Sequence, residues 1–234
     1  MQSTIAERLA DVLERLGKQS LKIHADKEAV KLIAVSKTKP AEQVAEAYQA
    51  GQRRFGENYV QEGVEKIQAL SHLAHMEWHF IGPLQSNKTR PVAEHFHWVQ
   101  SVDRLKIAQR LNEQRPEHMP PLNVLLQFNV SQEQSKSGAE DEKALFALAE
   151  AVQTMPNLCL RGLMTIPSAT DDQQALRQEF EAMQDLFLRL KSQYNQVDTL
   201  SMGMSGDWTM AIECGANMVR LGTAIFGERQ TRAS

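Results

Sequence analysis

The chain has 234 residues, 42% of them hydrophobic and 24% charged, with a net charge of −3. That composition suits one domain with a sizeable core. Charges of both signs are interspersed without a block of either, which argues against nucleic acid and anionic membrane surfaces as partners. No segment approaches the roughly 18 apolar residues that a membrane-spanning helix needs.

In chain order, the opening Met-Gln-Ser-Thr-Ile5 reads as the polar start of a helix over residues 5–16 rather than as a secretory signal. Short apolar runs follow at residues 31–37, 53–58, 78–82, 98–103, 123–130, 160–166, 199–205 and 218–226, each predicted as a strand. Amphipathic stretches fall between them at 40–50, 59–70, 87–94, 104–112, 140–153, 172–193 and 207–213, each predicted as a helix. Val60, Val64 and Ile67 mark the apolar face of the second of these, and Leu105, Ala108 and Leu111 that of the fourth. Gly51 and Gly215 stand where helices should close. Cys159 and Cys214 lack metal-ligand spacing and sit among apolar or small residues, as buried free thiols in a reducing compartment would. A cytoplasmic protein is expected.

Eight strands alternating with helices, behind a leading helix, predict a single α/β domain over residues 1–234 built as a (β/α)8 TIM barrel. A doubly wound open sheet is the competing fold, and no Gly-x-Gly-x-x-Gly turn follows any strand to support it. In such a barrel the working end is the rim at the strands' C-terminal ends. Lys37, Asn58, Gly82, Asp103, Ser205, Gly222 and Thr223 fall there.

Three features of that rim point to chemistry. In Lys31-Leu-Ile-Ala-Val-Ser-Lys37 the alternation from Ile33 through Val35 carries Lys37 onto the same face at the strand's end, just before Pro40 opens a helix. An ammonium beside a buried core is costly to desolvate, and Schiff-base chemistry is one reason to keep it there; the plain alternative is a lysine flanking a strand. Ser201-Met-Gly-Met-Ser205 ends the seventh strand ahead of a helix start, a setting that suits an anion. Arg220-Leu-Gly222-Thr223 follows on the eighth, and barrels often bind phosphate with the loops after strands seven and eight. Each has a plainer use: Ser201 and Ser205 as helix caps, Gly222 as a packing glycine, Met202 and Met204 as core filler. Arg220 is harder to explain away, since an arginine in an apolar run needs partners. A lysine on one side and an anion cradle on the other suggest a phosphorylated carbonyl ligand.

The motifs Ala34-Val-Ser-Lys-Thr, Phe55-Gly-Glu-Asn-Tyr-Val-Gln-Glu62, Trp78-His-Phe-Ile-Gly-Pro-Leu-Gln-Ser-Asn-Lys88, Ser135-Lys-Ser-Gly138, Arg161-Gly-Leu-Met164, Leu200-Ser-Met-Gly-Met-Ser205 and Val219-Arg-Leu-Gly-Thr-Ala-Ile-Phe-Gly227 occur in this order over nearly the whole chain. Together they resemble the pyridoxal phosphate homeostasis protein family. The resemblance implies a barrel like the N-terminal domain of alanine racemase, with pyridoxal 5′-phosphate (PLP) at the rim. It implies that Lys37 forms the aldimine, that Arg220 faces the ring nitrogen, that Ser201, Ser205, Gly222 and Thr223 bind phosphate, and that Asn58 lies beside the ring. It further implies a role in PLP supply and amino-acid balance without established turnover, with PLP-dependent apo-enzymes as recipients.

The alternative is a weakly active PLP-dependent racemase or decarboxylase. An arginine at the ring nitrogen leaves the ring a poorer electron sink. A second base is not expected from an added domain, because Phe226 lies near the end of the sequence. Tyr59 and His79 are the candidates within the barrel, with His79 equally readable as a hydrogen-bonded strand residue. Lys136 reads as a solvated loop lysine that could otherwise receive or transfer PLP.

Overall fold

The structure, a computed structural model, describes residues 3–228. Residues 1–2, part of the polar N-terminal stretch, and residues 229–234 lie outside the described residues. Strands β1 (Lys31–Val35), β2 (Arg54–Glu57), β3 (Glu77–Phe80), β4 (Trp98–Val102), β5 (Leu122–Gln127), β6 (Leu158–Met164), β7 (Thr199–Ser201) and β8 (Met218–Leu221) pair in chain order, and β8 pairs back onto β1. The barrel is closed, and every pair is parallel. Helices α1 (Ile5–His24), α2 (Ala41–Gln49), α3 (Val60–Ala69), α4 (Thr89–His95), α5 (Leu105–Gln114), α6 (Glu142–Gln153), α7 (Gln173–Gln193), α8 (Trp208–Glu213) and α9 (Thr223–Phe226) surround it.

The expected element order holds, and the differences lie at element ends. The eighth strand does not run to Phe226: it stops at Leu221, and Gly222 caps the one-turn α9, with Ile225 and Phe226 N–H groups returning to the Gly222 carbonyl. Ile225 and Phe226 are buried, so the apolar run continued for helix packing and not for the sheet. The seventh strand likewise stops at Ser201, and the fifth at Gln127. In α5 the buried residues are Ile107, Ala108 and Leu111, while Leu105 is exposed.

The leading helix runs past the expected Leu16 to His24. Thr4 and Glu7 form a capping box at its start, and Ala25 closes it in the left-handed region at φ 56°. Ile5, Leu9, Val12, Leu16 and Ser20 form its buried stripe. This stripe packs on α2, α8 and α9, and Arg8 donates to the Ile225 carbonyl at 2.7 Å. Among the described residues β8 is followed by the single turn of α9, and α1 packs beside it in the outer layer. Among the described residues no helix is long and apolar enough to cross a membrane.

The main core lies between sheet and helices. A separate buried group, Trp98, Leu125 and Met164, fills part of the barrel interior. Beside these and other apolar side chains the interior carries buried polar ones, among them His79, Gln100, Ser201 and Arg220, and they bear on the rim.

Candidate functional site

Chain direction brings the C-terminal ends of the strands to one rim. Lys37 follows β1 by two residues and is half-buried. Among the described residues nothing bonds or pairs with its ammonium. Asn58 follows β2, and its Oδ1 is buried without a hydrogen-bond partner in the described structure. The loop after β3 sets its position: a Cβ at Gly82 would lie 2.2 Å from the Asn58 carbonyl oxygen, so only glycine lets the two segments approach this closely. Ser205 lies in the loop after β7 and Thr223 opens α9 after β8; both are exposed, with Gly222 half-buried beside Thr223. Asp103 and Lys136 stand on neighbouring rim loops. Lys136 donates to the Pro167 carbonyl at 2.8 Å and pairs with Glu133 at 3.1 Å, which ties two rim loops together.

Arg220 and Ser201 are buried inside the barrel. The Arg220 guanidinium donates to the Ser201 hydroxyl at 2.6 Å and to the Thr165 carbonyl at 3.0 Å. Ser201 donates onward to Gln100 Oε1 at 2.6 Å. The Gln100 amide then meets His79 Nδ1 at 2.9 Å, and His79 Nε2 meets Glu77 Oε1 at 2.7 Å. An amide nitrogen only donates, so Nδ1 accepts and the ring proton sits on Nε2, aimed at the Glu77 carboxylate. Every donor in this chain thus points away from Arg220 and the chain ends on an anion, an arrangement in which each bond polarises the next. The Gln100 amide does not exchange protons in this role, so the chain orients Arg220 without conducting protons to it.

Electrostatics agree with that reading. Burial pulls the Arg220 guanidinium down to about 10, and the nearby Asp207 carboxylate works against that shift. Burial also holds His79 below the usual imidazole range, against the pull of Glu77. Burial works to raise Glu77, but the His79 hydrogen bond and the Arg54 charge outweigh it and hold the carboxylate low. With both nitrogens committed and the ring fully buried against Trp98, 5.1 Å away in a stacked arrangement, His79 is a structural strand residue rather than a rim base. Tyr59 stays at the rim, 52% exposed.

Behind Lys37 lies a second polar cluster, built from Ser36, Glu57, Glu62 and Lys66. Lys66 on α3 is buried, and its ammonium donates to the Ser36 carbonyl (2.6 Å), Glu57 Oε1 (2.7 Å) and Glu62 Oε1 (2.7 Å). The Ser36 hydroxyl reaches Glu57 Oε1 at 2.8 Å, and the Thr38 N–H donates to Glu62 Oε1. The sequence signal was present, since Glu62 and Lys66 stand four apart on one helix. Such a spacing ordinarily marks an exposed pair, which is why it pointed nowhere.

The described residues contain no group of His, Cys, Asp and Glu able to hold a metal ion. Cys214 is buried and Cys159 partly so, both as free thiols, and burial raises both above the usual thiol range.

Comparison with known proteins bears on what this rim is for. The family model for the alanine racemase N-terminal domain matches residues 18–230. A pyridoxal phosphate homeostasis protein of Pasteurella multocida is 56% identical over 229 residues, covering 97% of this chain and 98% of that protein. Its namesake in Escherichia coli K12 is 52% identical over 227 residues, covering 96% and 97%. Among solved structures, PipY of Synechococcus elongatus with PLP bound superposes with a TM-score of 0.83 at 37% identity, covering 96% of this chain and all of that one. With nearly the whole length matched at these identities, the chain belongs to the pyridoxal phosphate homeostasis protein family.

Proposed function

We propose that this protein binds PLP at the barrel rim, holds it covalently through Lys37 and buffers or supplies it within the cytoplasm, with effects on amino-acid balance. The observation that carries this reading is the half-buried Lys37 ammonium, which no described residue engages. A lysine kept unpaired beside a buried core is available as a nucleophile for an aldehyde. The other residues suit the same ligand. The orphaned Asn58 Oδ1 is a buried acceptor still lacking a donor, and Arg220 is a cation fixed in orientation by Ser201 and Thr165. Ser205, Gly222 and Thr223 offer exposed hydroxyls and backbone N–H groups to a phosphate. Ser201 contributes by holding Arg220, because its own hydrogen goes to Gln100.

When bound, PLP supplies an aldehyde for lysine attachment and a ring that draws electrons from a substrate. The residues here favour holding over turnover. Arg220 keeps its charge and gives the ring nitrogen no acid, and His79 is committed inside the barrel. The solved PLP-bound relative and the name shared by the curated relatives support the ligand. A single barrel domain that passes PLP to PLP-dependent apo-enzymes completes the proposal; the reduced thiols of Cys159 and Cys214 agree with a cytoplasmic setting.

The test is a spectroscopic titration of purified protein with PLP, followed by amino-acid α-proton exchange in deuterated water. A visible band saturating at one equivalent per chain, with exchange no faster than free PLP gives, is the expected result. Failure to take up PLP would overturn the binding role, and protein-accelerated exchange would replace the carrier with a racemase or decarboxylase.

A further inference from the structure

The backbone on either side of Lys37 is held from behind. Thr38 adopts φ 63°, a left-handed conformation that a β-branched residue rarely takes and that costs on the order of 1–3 kcal/mol. Such a conformation persists only where its surroundings impose it. Here they do: the Thr38 N–H is bonded to Glu62 Oε1, and the Ser36 carbonyl is bonded to Lys66 Nζ. Lys66 joins the two grips, since it also bonds Glu62 and Glu57. Glu62 and Lys66 come from one face of α3 and Glu57 from the end of β2, so two elements outside β1 determine where the Lys37 peptide sits.

The cluster has features that maximal stability would not choose. It gathers three ionisable groups where apolar filler serves at least as well. Glu57 is fully buried and its Oε2 has no partner in the described structure. None of the cluster's bonds reaches the Lys37 ammonium. It grips Lys37 through the peptide groups before and after it.

We propose that Glu62 is a positioning residue for Lys37: by accepting the Thr38 N–H while paired with Lys66, it holds the backbone turn that aims the lysine amine at the incoming aldehyde. This inference rests on the proposed attachment of PLP at Lys37. Attachment joins Lys37 Nζ to the aldehyde carbon as a C=N bond, and the carbonyl oxygen leaves as water. The step depends steeply on approach geometry, and a misplacement of about 1 Å can cost about 100-fold.

The experiment compares wild type, Glu62→Gln and Glu62→Ala. Two quantities are read: the rate at which added PLP becomes covalently fixed, and the affinity for the alcohol analogue pyridoxine 5′-phosphate, which has no aldehyde. Glu62→Ala is expected to slow attachment about 10- to 100-fold with the analogue's affinity unchanged. Glu62→Gln keeps an oxygen for the Thr38 N–H and is expected to recover most of the rate. Attachment in Glu62→Ala at the wild-type rate would overturn the proposal, as would equal losses of rate and analogue affinity in both variants, the mark of a merely structural role. Wild-type protein that binds PLP but fixes none would refute attachment itself, and the positioning role with it.

Discussion

Lys37→Ala is expected to abolish covalent retention of PLP while leaving the fold almost untouched. Both halves follow from the same observation. The ammonium has no hydrogen bond or ion pair among the described residues, so truncating the side chain removes no polar contact there. The change in stability should stay within about 0.5 kcal/mol, as for substitutions away from a packed or bonded group. The grips on Ser36 and Thr38 are made through the backbone and the Ser36 hydroxyl, and all survive the substitution. Attachment, by contrast, requires an amine at this position, and two other lysines near the rim are engaged elsewhere: Lys39 donates to the Gly227 and Glu228 carbonyls, and Lys136 is bonded to Pro167 and Glu133. The check pairs a visible spectrum after gel filtration with a thermal melt. A variant that keeps the band through the column would show that another group holds the cofactor. One that melts far below wild type would show that Lys37 has a structural role the contacts do not reveal.

Gly162→Ala should damage the fold more than most single substitutions. Gly162 lies on β6 at φ 150°, and a Cβ there would stand 1.8 Å from the Thr199 carbonyl oxygen and 2.8 Å from its carbon. Both obstacles are backbone, so no side chain can swing aside to relieve them. The register between β5 and β6 shifts at this point, with Val124 opposite Leu160 but Leu125 opposite Gly162, which fits glycine at an irregularity of the sheet. On the other side Gly162 pairs with Thr199, the first residue of the three-residue β7. Displacing Thr199 disturbs a strand too short to compensate, and Ser201 at its end carries Arg220. A loss of about 4 kcal/mol or more is expected, in the range reserved for named structural failures. Chemical denaturation measures it, with soluble yield as the cruder guide. A midpoint within about 1 kcal/mol of wild type would mean that β6 and β7 separate more readily than their pairing implies.

Much of this architecture was legible from pattern alone, and the reasons for success and failure are physical. Strands buried on both faces leave near-continuous apolar runs, and amphipathic helices between them leave a different period, so the order of elements stood out. The ends did not. Met202, Ile225 and Phe226 are as buried as strand residues but belong to loop or helix, and hydrophobicity does not record which surface covers a side chain. The sequence pattern closes the leading helix at Leu16, yet its buried stripe continues through Ser20, whose hydroxyl donates to the Asp26 carbonyl.

At the rim, Lys37, Asn58, Ser205, Gly222 and Thr223 were readable because barrel topology sends strand ends to one place. Arg220 was readable because an arginine in an apolar run demands a partner. What escaped was everything that acts on these residues from a distance. Gln100 looks like an ordinary strand residue, and Glu77 like a solvated strand start. Lys66 sits among Val64 and Ile67 on α3, yet it is Lys66 that is buried while those two are partly exposed. A charge that is buried and a charge that is solvated look the same in a sequence; the difference is made by partners far away in the chain.

Covalent attachment at Lys37 can be read out by borohydride reduction of the PLP-loaded protein followed by peptide mass mapping. A single reduced pyridoxyl phosphate adduct is expected on the peptide that contains Lys37, together with loss of the visible band. An adduct on Lys136 or Lys66 with Lys37 unmodified would contradict it, and so would PLP-loaded protein that yields no adduct at all.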